Sequence, residues 1–347
     1  MALKILVRTP NHLGDCIMAL PTINQVGEAH PGARVTLLAP RHLAPLFRPN
    51  PTVDEIIELA PEHVHGLMAV YKIKELIGKQ GFDIGYILPP SFGAAAGFKL
   101  GGVKERIGYI ADGRRLLLTK PLALPAPLNS KHRSELYFDL LRRGAGHEVA
   151  FHKPKLFLGD DDVRAGIDLL TGFGLPENEP YAAIAFRAVA ESRRWGTTKY
   201  TELIKHLISQ HGIKVVLIGS ADDRPDGDAI AAATSTKEVI NVAGKTSIRE
   251  AAAILSRAKL FVGNDSGPAH LAAAVGAPVV VLSGADDPKA TSPVAARKKL
   301  LYLDQLECIS CEKNKCPVKG ESHLRCMTGL PVDLVAAAAG DMLENQV

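Results

Sequence analysis

Short apolar runs recur along the chain, each closed by a turn rich in Gly, Pro or Asp and followed by a stretch with helical periodicity. Lys4-Ile-Leu-Val7, Val35-Thr-Leu-Leu-Ala39, Glu55-Ile-Ile-Glu-Leu59 and Ile84-Gly-Tyr-Ile-Leu88 read as strands. A further strand is expected over 154–158. Amphipathic helices are expected from Ile17 to Gly27 with a kink at Pro21, from Val70 to Lys79, and from Lys131 to about Arg143. Strands alternating with helices at this spacing are the mark of βαβ units in a parallel sheet. After a helix opened by Asp160-Asp-Asp162 and a Pro-rich loop at 175–180, the pattern restarts with Tyr181-Ala-Ala-Ile-Ala-Phe186 and continues with Lys214-Val-Val-Leu-Ile-Gly219. The reading is therefore α/β, with two doubly wound Rossmann-like domains at 1–174 and 175–328. A C-terminal helix at 329–347 is expected to pack back on the first domain. Two such domains in succession would face each other across a central cleft.

One stretch in the second half concentrates the chemistry. Leu260 to Val262 is apolar, Gly263-Asn-Asp-Ser-Gly267 is a loop, Pro268 to Val275 is an Ala-rich helix and Val279 to Leu282 is a buried strand. The loop lies at the carboxyl end of a strand and at a helix N-terminus, where open parallel sheets bind ligands and backbone N–H groups favour an anion. A bare Asp-Ser-Gly is also an ordinary helix start. The functional reading gains from its company: Asp223, Thr246, Asp265, Ser266, Gly267 and His270 all fall in loops or first helical turns on one sheet edge, with Arg187 and Arg193 after the domain's first strand. Cations for a diphosphate and carboxylates for sugar hydroxyls make a nucleotide-sugar site in outline. No Gly-x-Gly-x-x-Gly follows an early strand, and no Walker-type loop is present. In the first half, Asp15 holds the position equivalent to Asp265, and on spacing it serves either as a general base or simply as a helix start.

Charge changes this picture in one respect. Residues 1–170 carry 21 Lys+Arg and 17 Asp+Glu, against 20 and 20 in the remainder, and residues 99–155 alone hold 12 basic and 5 acidic side chains. Arg114, Arg115, Lys131 and Arg133 are therefore candidates for an anion-binding face, against the alternative of solvated charge. No apolar run is long enough to span a bilayer and the first residues lack a signal peptide's apolar core, so a cytoplasmic location is expected. Cys308, Cys311, Cys316 and Cys326 with His323 could ligate a metal, yet their spacing fits no common finger, and packed reduced thiols are the competing reading. Cys16 is read as a small buried residue.

The segments Arg8-Thr-Pro-Asn-His-Leu-Gly-Asp15, Leu88-Pro-Pro-Ser-Phe92, Arg106-Ile-Gly-Tyr109 with Asp112-Gly-Arg-Arg115, Asn241-Val-Ala-Gly-Lys-Thr246 and Gly263-Asn-Asp-Ser-Gly-Pro-Ala-His270 together resemble the bacterial ADP-heptose:lipopolysaccharide heptosyltransferases of glycosyltransferase family 9, the type II members most of all. The resemblance covers nearly the whole chain. It implies a GT-B fold and metal-independent, inverting transfer of heptose from ADP-heptose to the first heptose of an anionic Kdo-lipid A core, with no cofactor. Asp15 would be the catalytic base. Arg187, Arg193, Asp223, Thr246, Asp265, Ser266, Gly267 and His270 would bind the donor in the second domain, and Arg114, Arg115, Lys131 and Arg133 the acceptor in the first. Peripheral contact with the inner face of the inner membrane is implied too, and nucleic acid is not an expected partner. Phe186-Arg-Ala-Val-Ala-Glu-Ser-Arg-Arg-Trp195 departs from the family's Pro-Gly-containing loop, which leaves open a different nucleotide-sugar donor. A non-catalytic sugar-nucleotide or lipid-binding protein is the rival from another class.

Overall fold

The computed structural model describes residues 2–64, 66–126 and 130–345. The chain divides into two compact units, the first ending at Phe157 and the second beginning at Leu158. In the first, β1 (Lys4–Arg8), β2 (Arg34–Pro40), β3 (Glu55–Leu59), β4 (Ile84–Ile87), β5 (Glu105–Tyr109) and β6 (Lys120–Leu122) form one sheet in the order β3-β2-β1-β4-β5-β6. Every pairing is parallel. In the second, β7 (Tyr181–Ala185), β8 (Lys214–Leu217), β9 (Val239–Asn241), β10 (Leu260–Asn264), β11 (Val279–Leu282) and β12 (Lys298–Leu301) run in the order β12-β11-β10-β7-β8-β9, again all parallel. Counted within each unit, both sheets have the doubly wound order 3-2-1-4-5-6. The strand order reverses between β1 and β4 in one and between β7 and β10 in the other, and the loops leaving those four strands are where such sheets hold ligands.

The central strands are continuous apolar runs because helices cover both their faces. Val279–Leu282 and Tyr181–Ala185 are wholly buried. Glycine is required at one of these strand ends: a Cβ on Gly263 would lie 2.7 Å from the Phe261 ring and 3.1 Å from the Ala185 carbonyl oxygen.

Several expectations are corrected. Residues 154–158 form no strand; Pro154 and Leu156 are buried and Lys155 exposed, so the alternation is real, but no strand pairs with it. The helix expected over 17–27 is two, Leu13–Met18 and Leu20–Ala29, and Pro21 sits in the first turn of the second, where its missing N–H costs nothing. The helix Asp160–Gly172 belongs to the second unit, which moves the boundary from 174/175 to 157/158. Its Gly166 packs so closely on Ala253 that a Cβ would come within 2.9 Å, and Arg249 ion-pairs with Asp162. The C-terminal helix Val332–Glu344, expected against the first domain, belongs to the second unit. Its stripe Val335, Ala336, Ala339 and Met342 shares a core with Tyr200 and Leu207 of the helix Thr197–His211, and these mostly small side chains let the two helices pack closely.

Candidate active site

At the first switch point the chain leaves β1 through the loop 9–12 and enters the helix Leu13–Met18, with Asp15 half-buried in its first turn. The loop is fixed from below. Arg8, 2% exposed, donates to the Thr9 and Leu38 carbonyls and to Asn11 Oδ1, and burial lowers its pKa to about 10. Cys16 donates its thiol proton to the Pro10 carbonyl, and burial pushes the thiol up to about 12, so Cys16 packs and ties the loop as a neutral side chain. Asp15 Oδ1 accepts a hydrogen bond from the Tyr137 hydroxyl at 3.2 Å. Burial first, and the neighbouring Asp15 charge second, hold the Tyr137 phenol well above its ordinary value, so it remains a donor. Arg133 stands one helical turn before Tyr137 and acts on that phenol in the opposite sense. Among the described residues no carboxylate ion-pairs with Arg133.

The expected acceptor cations thus separate. Arg133 and exposed Arg115 are available, whereas Lys131 lies 3.8 Å from Asp139, which also pairs with Arg142 and Arg143. Arg114 is a correction: it is fully buried, its Nε donates to the Tyr109 carbonyl and its Nη1 to those of Pro89 and Ser91, and desolvation lowers its pKa to about 10. It clamps the loop after β4 to that after β5 and cannot face a ligand. Much of the basic excess of 99–155 is spent in this way, Arg106 on the Val103 and Leu117 carbonyls, Lys120 on Gly144 and Lys104 on Asp83.

In the second unit the expected donor residues come together along the carboxyl edge of one sheet, on loops leaving β7 to β10. Ser266 precedes the helix Gly267–Ala274, but its hydroxyl turns back to the Asn264 carbonyl and no side chain caps the helix. That leaves first-turn N–H groups for an anion. Asp265 is 4% exposed; its Oδ2 accepts from Ser283 Oγ at 3.0 Å and its Oδ1 stands 3.9 Å from His270 Nε2. Burial, then repulsion from Asp286, raise the Asp265 pKa to about 7. A carboxyl part protonated near neutrality lessens the repulsion that an Asp in this loop would otherwise exert on a diphosphate. Arg187 ion-pairs with Asp223 and Asp226, and Asp223 also accepts from the Ser220 N–H and hydroxyl. Arg193 Nη2 donates to Asp286 Oδ1 at 2.7 Å. Thr246 is half-buried after β9. Glu191, which would oppose a phosphate, lies 3.9 Å from His323.

Sequence reading missed Asp286, Asn264 and Ser283. Asn264, fully buried, accepts from the Trp195 N–H and the Tyr200 hydroxyl and so sets the Arg193–Trp195 segment against the Asp265 loop. Asp286 pairs across 93 positions with Arg193, and no local pattern announces it. The four C-terminal cysteines are free thiols, and burial first, then Cys308, Cys311 and Cys316, raise the pKa of Cys326. Among the described residues no three His, Cys, Asp or Glu stand as a metal-holding group.

Comparison with known proteins brings this geometry into a family. The model described as "Glycosyltransferase family 9 (heptosyltransferase)" matches residues 70–321. Lipopolysaccharide heptosyltransferase 2 of Escherichia coli K12 is 30% identical over 315 residues, covering 87% of this chain and 88% of its own. Lipooligosaccharide heptosyltransferase 2 of Haemophilus influenzae is 28% identical over 324 residues, 90% and 92% of the two chains. The solved structure of E. coli ADP-heptose lps heptosyltransferase II superposes with a TM-score of 0.81 at 26% identity, covering 99% of both chains.

Proposed function

The chain belongs to glycosyltransferase family 9, with the GT-B fold of that family's solved members, and on that premise we propose that it transfers heptose from ADP-heptose to a heptose of the anionic, lipid-linked inner core of lipopolysaccharide. The observation that carries the chemistry is Asp15, a carboxylate at the first switch point held by one hydrogen bond from Tyr137. In the proposed reaction Asp15 takes the proton from the acceptor hydroxyl as that oxygen attacks the anomeric carbon. The bond to the diphosphate breaks on the opposite side, which inverts the configuration, and ADP departs. Of the four expected acceptor cations, Arg133 and Arg115 remain available to an anionic acceptor.

The second unit takes the donor. The uncapped N-terminus of the helix Gly267–Ala274 and Arg193 meet the charge that develops on the leaving diphosphate. Arg187 and Arg193 are both matched by carboxylates, so in this reading the diphosphate displaces Asp286 from Arg193. That pairing, with the altered 186–195 loop, also favours a second reading in which the donor carries another nucleotide. Contact with the cytoplasmic face of the inner membrane follows from the acceptor.

The test is mass-spectrometric detection of product from a heptose-terminated Kdo-lipid A acceptor, with ADP-heptose or a panel of UDP- and GDP-sugars. Addition of one heptose from ADP-heptose alone is the expected result. Product only from another donor would keep the enzyme and overturn the donor, and no product from any would leave a binding protein.

A further inference from the structure

We propose that the cysteine-bearing segment after β12 is a strap that positions Arg193 for the donor's diphosphate, with Ser192 as its anchor. Arg193 and its carboxylate partner Asp286 stand on two separate loops, one after β7 and one after β11. Residues 310–314 reach both. The Ser310 N–H donates to the Gly284 carbonyl at 3.0 Å and the Glu312 N–H to that of Ala285 at 2.7 Å, immediately before Asp286. The Asn314 carbonyl accepts from the Ser192 N–H at 3.3 Å, and the Lys313 carbonyl from the Ser192 hydroxyl, immediately before Arg193. Ser192 is itself 2% exposed. One short run of chain thus holds the backbone beside each member of the ion pair.

The strap is strained where it bonds. Ser310 and Glu312, the two residues that donate to the 284–285 carbonyls, have φ of 58° and 55°. Residues other than glycine adopt this left-handed region at a cost, and they persist there only where the surrounding structure enforces it, most often at functional sites. Of the five non-glycine residues at positive φ among the described residues, these two and Leu324 fall in this one segment of the chain, so the strain is concentrated here. The continuation of the strap packs against the same loop: a Cβ on Gly284 would lie 3.0 Å from Cys326 Sγ and 2.7 Å from Met327 Sδ. The Leu324 N–H, donating to Cys316 Sγ at 3.3 Å, ties the two parts together. A cation whose backbone is fixed before its ligand arrives loses less freedom on binding, so the strap favours donor binding rather than the transfer step. The proposal rests on the reading above in which Arg193 meets the diphosphate.

ADP is titrated calorimetrically into the full chain and its variants, and kcat, KM for ADP-heptose and melting temperature are measured beside it. Ser192→Ala removes the hydroxyl bond to Lys313 and keeps the backbone bond to Asn314. Its Kd for ADP and KM for the donor are expected to rise about fivefold, the scale of one hydrogen bond, with kcat within about twofold of wild type. Glu312→Pro removes the N–H that meets Ala285 and forces φ negative, and is expected to raise both constants about tenfold. Glu312→Gly keeps the N–H and takes the left-handed backbone without strain, and is expected to bind ADP within about twofold of wild type. Unchanged ADP affinity in Ser192→Ala and Glu312→Pro would overturn the proposal, whatever happens to their melting temperatures, because a strap that only closes the fold moves stability alone. A Glu312→Gly variant as weak as Glu312→Pro would also overturn it, since the carboxylate and not the backbone would then matter. Wild type that binds no ADP would overturn the donor reading and the strap's role with it, whereas equal ADP binding by wild type and variants would overturn the strap alone.

Discussion

Asp15 and Asp265 both stand at the carboxyl edge beside the switch point of a doubly wound sheet, Asp15 after the first strand of its sheet and Asp265 after the fourth of its own, and their surroundings differ. Asp15 is half-buried, in the first turn of a short helix, with one phenolic hydrogen bond. Asp265 is almost wholly buried beside Asp286, which raises its pKa to about 7. The difference teaches that topology chooses where a functional carboxylate stands, and that packing chooses what it can do there. A half-exposed carboxylate can receive a proton from a bound hydroxyl. A buried one whose pKa is raised to about 7 is part protonated near neutrality and so repels an anion in its pocket less than an ordinary carboxylate would.

The sharpest way to break the comparison is to blunt each carboxylate in turn. Asp15→Asn should lower kcat by about 10^3-fold, the range for losing a general base, with the melting temperature unchanged; Asp265→Asn should leave far more turnover. Steady-state rates on one acceptor decide this, and a larger loss from Asp265→Asn would exchange the two roles.

The second prediction uses stability against pH. Because the folded pKa of Asp265 lies above its unfolded value of 3.8, the folded chain keeps a proton between about pH 4 and 7 that the unfolded chain has released. Its contribution to stability is therefore full below pH 4 and is lost as pH rises to 7. Asp265→Asn should remove this slope and stabilise the protein above pH 7 by roughly 4 kcal/mol relative to wild type. Parallel denaturant titrations at pH 5 and 8 that show one common slope would contradict the buried acid.

Next comes the pair of adjacent arginines. Arg114→Met strands three buried carbonyls and should cost roughly 2 kcal/mol, whereas Arg115→Ala should stay within about 0.5 kcal/mol. Thermal melts test both, and equal effects would mean that Arg114 is not the clamp described above. A milder effect on catalysis is expected at Tyr137→Phe, which removes one hydrogen bond to Asp15: a loss in kcat of roughly fivefold, with KM for the donor unchanged. A change confined to donor KM would place Tyr137 elsewhere in the mechanism.

These arginines also show where sequence reading stops. Strands buried on both faces, such as Val35–Ala39 and Val279–Leu282, announce themselves as apolar runs, and the repeated βαβ rhythm made both sheets legible. Two of the four edge strands did not, nor did the charged inner strand Glu105–Tyr109: Lys120-Pro-Leu122 and Lys298-Lys-Leu-Leu301 carry Lys, and the first also Pro, residues that edge positions tolerate and apolar-run reading passes over. The alternation at 154–158 misled in the other direction, because burial on one side does not require a strand partner. Asp15 and the Asp265–His270 loop were legible because strand end and helix start are local signals. That Arg114 is buried while Arg115 is exposed, or that Asp286 meets Arg193, depends on tertiary packing that no local pattern records.

The division of labour between the two units is tested most directly by titrating ADP calorimetrically into Asp15→Asn and Arg193→Ala side by side with wild type. The account predicts an unchanged Kd for Asp15→Asn, within about twofold, and a Kd raised about tenfold for Arg193→Ala, in keeping with the loss of one charge-assisted phosphate contact. Weakened ADP binding by Asp15→Asn with none lost by Arg193→Ala would contradict it.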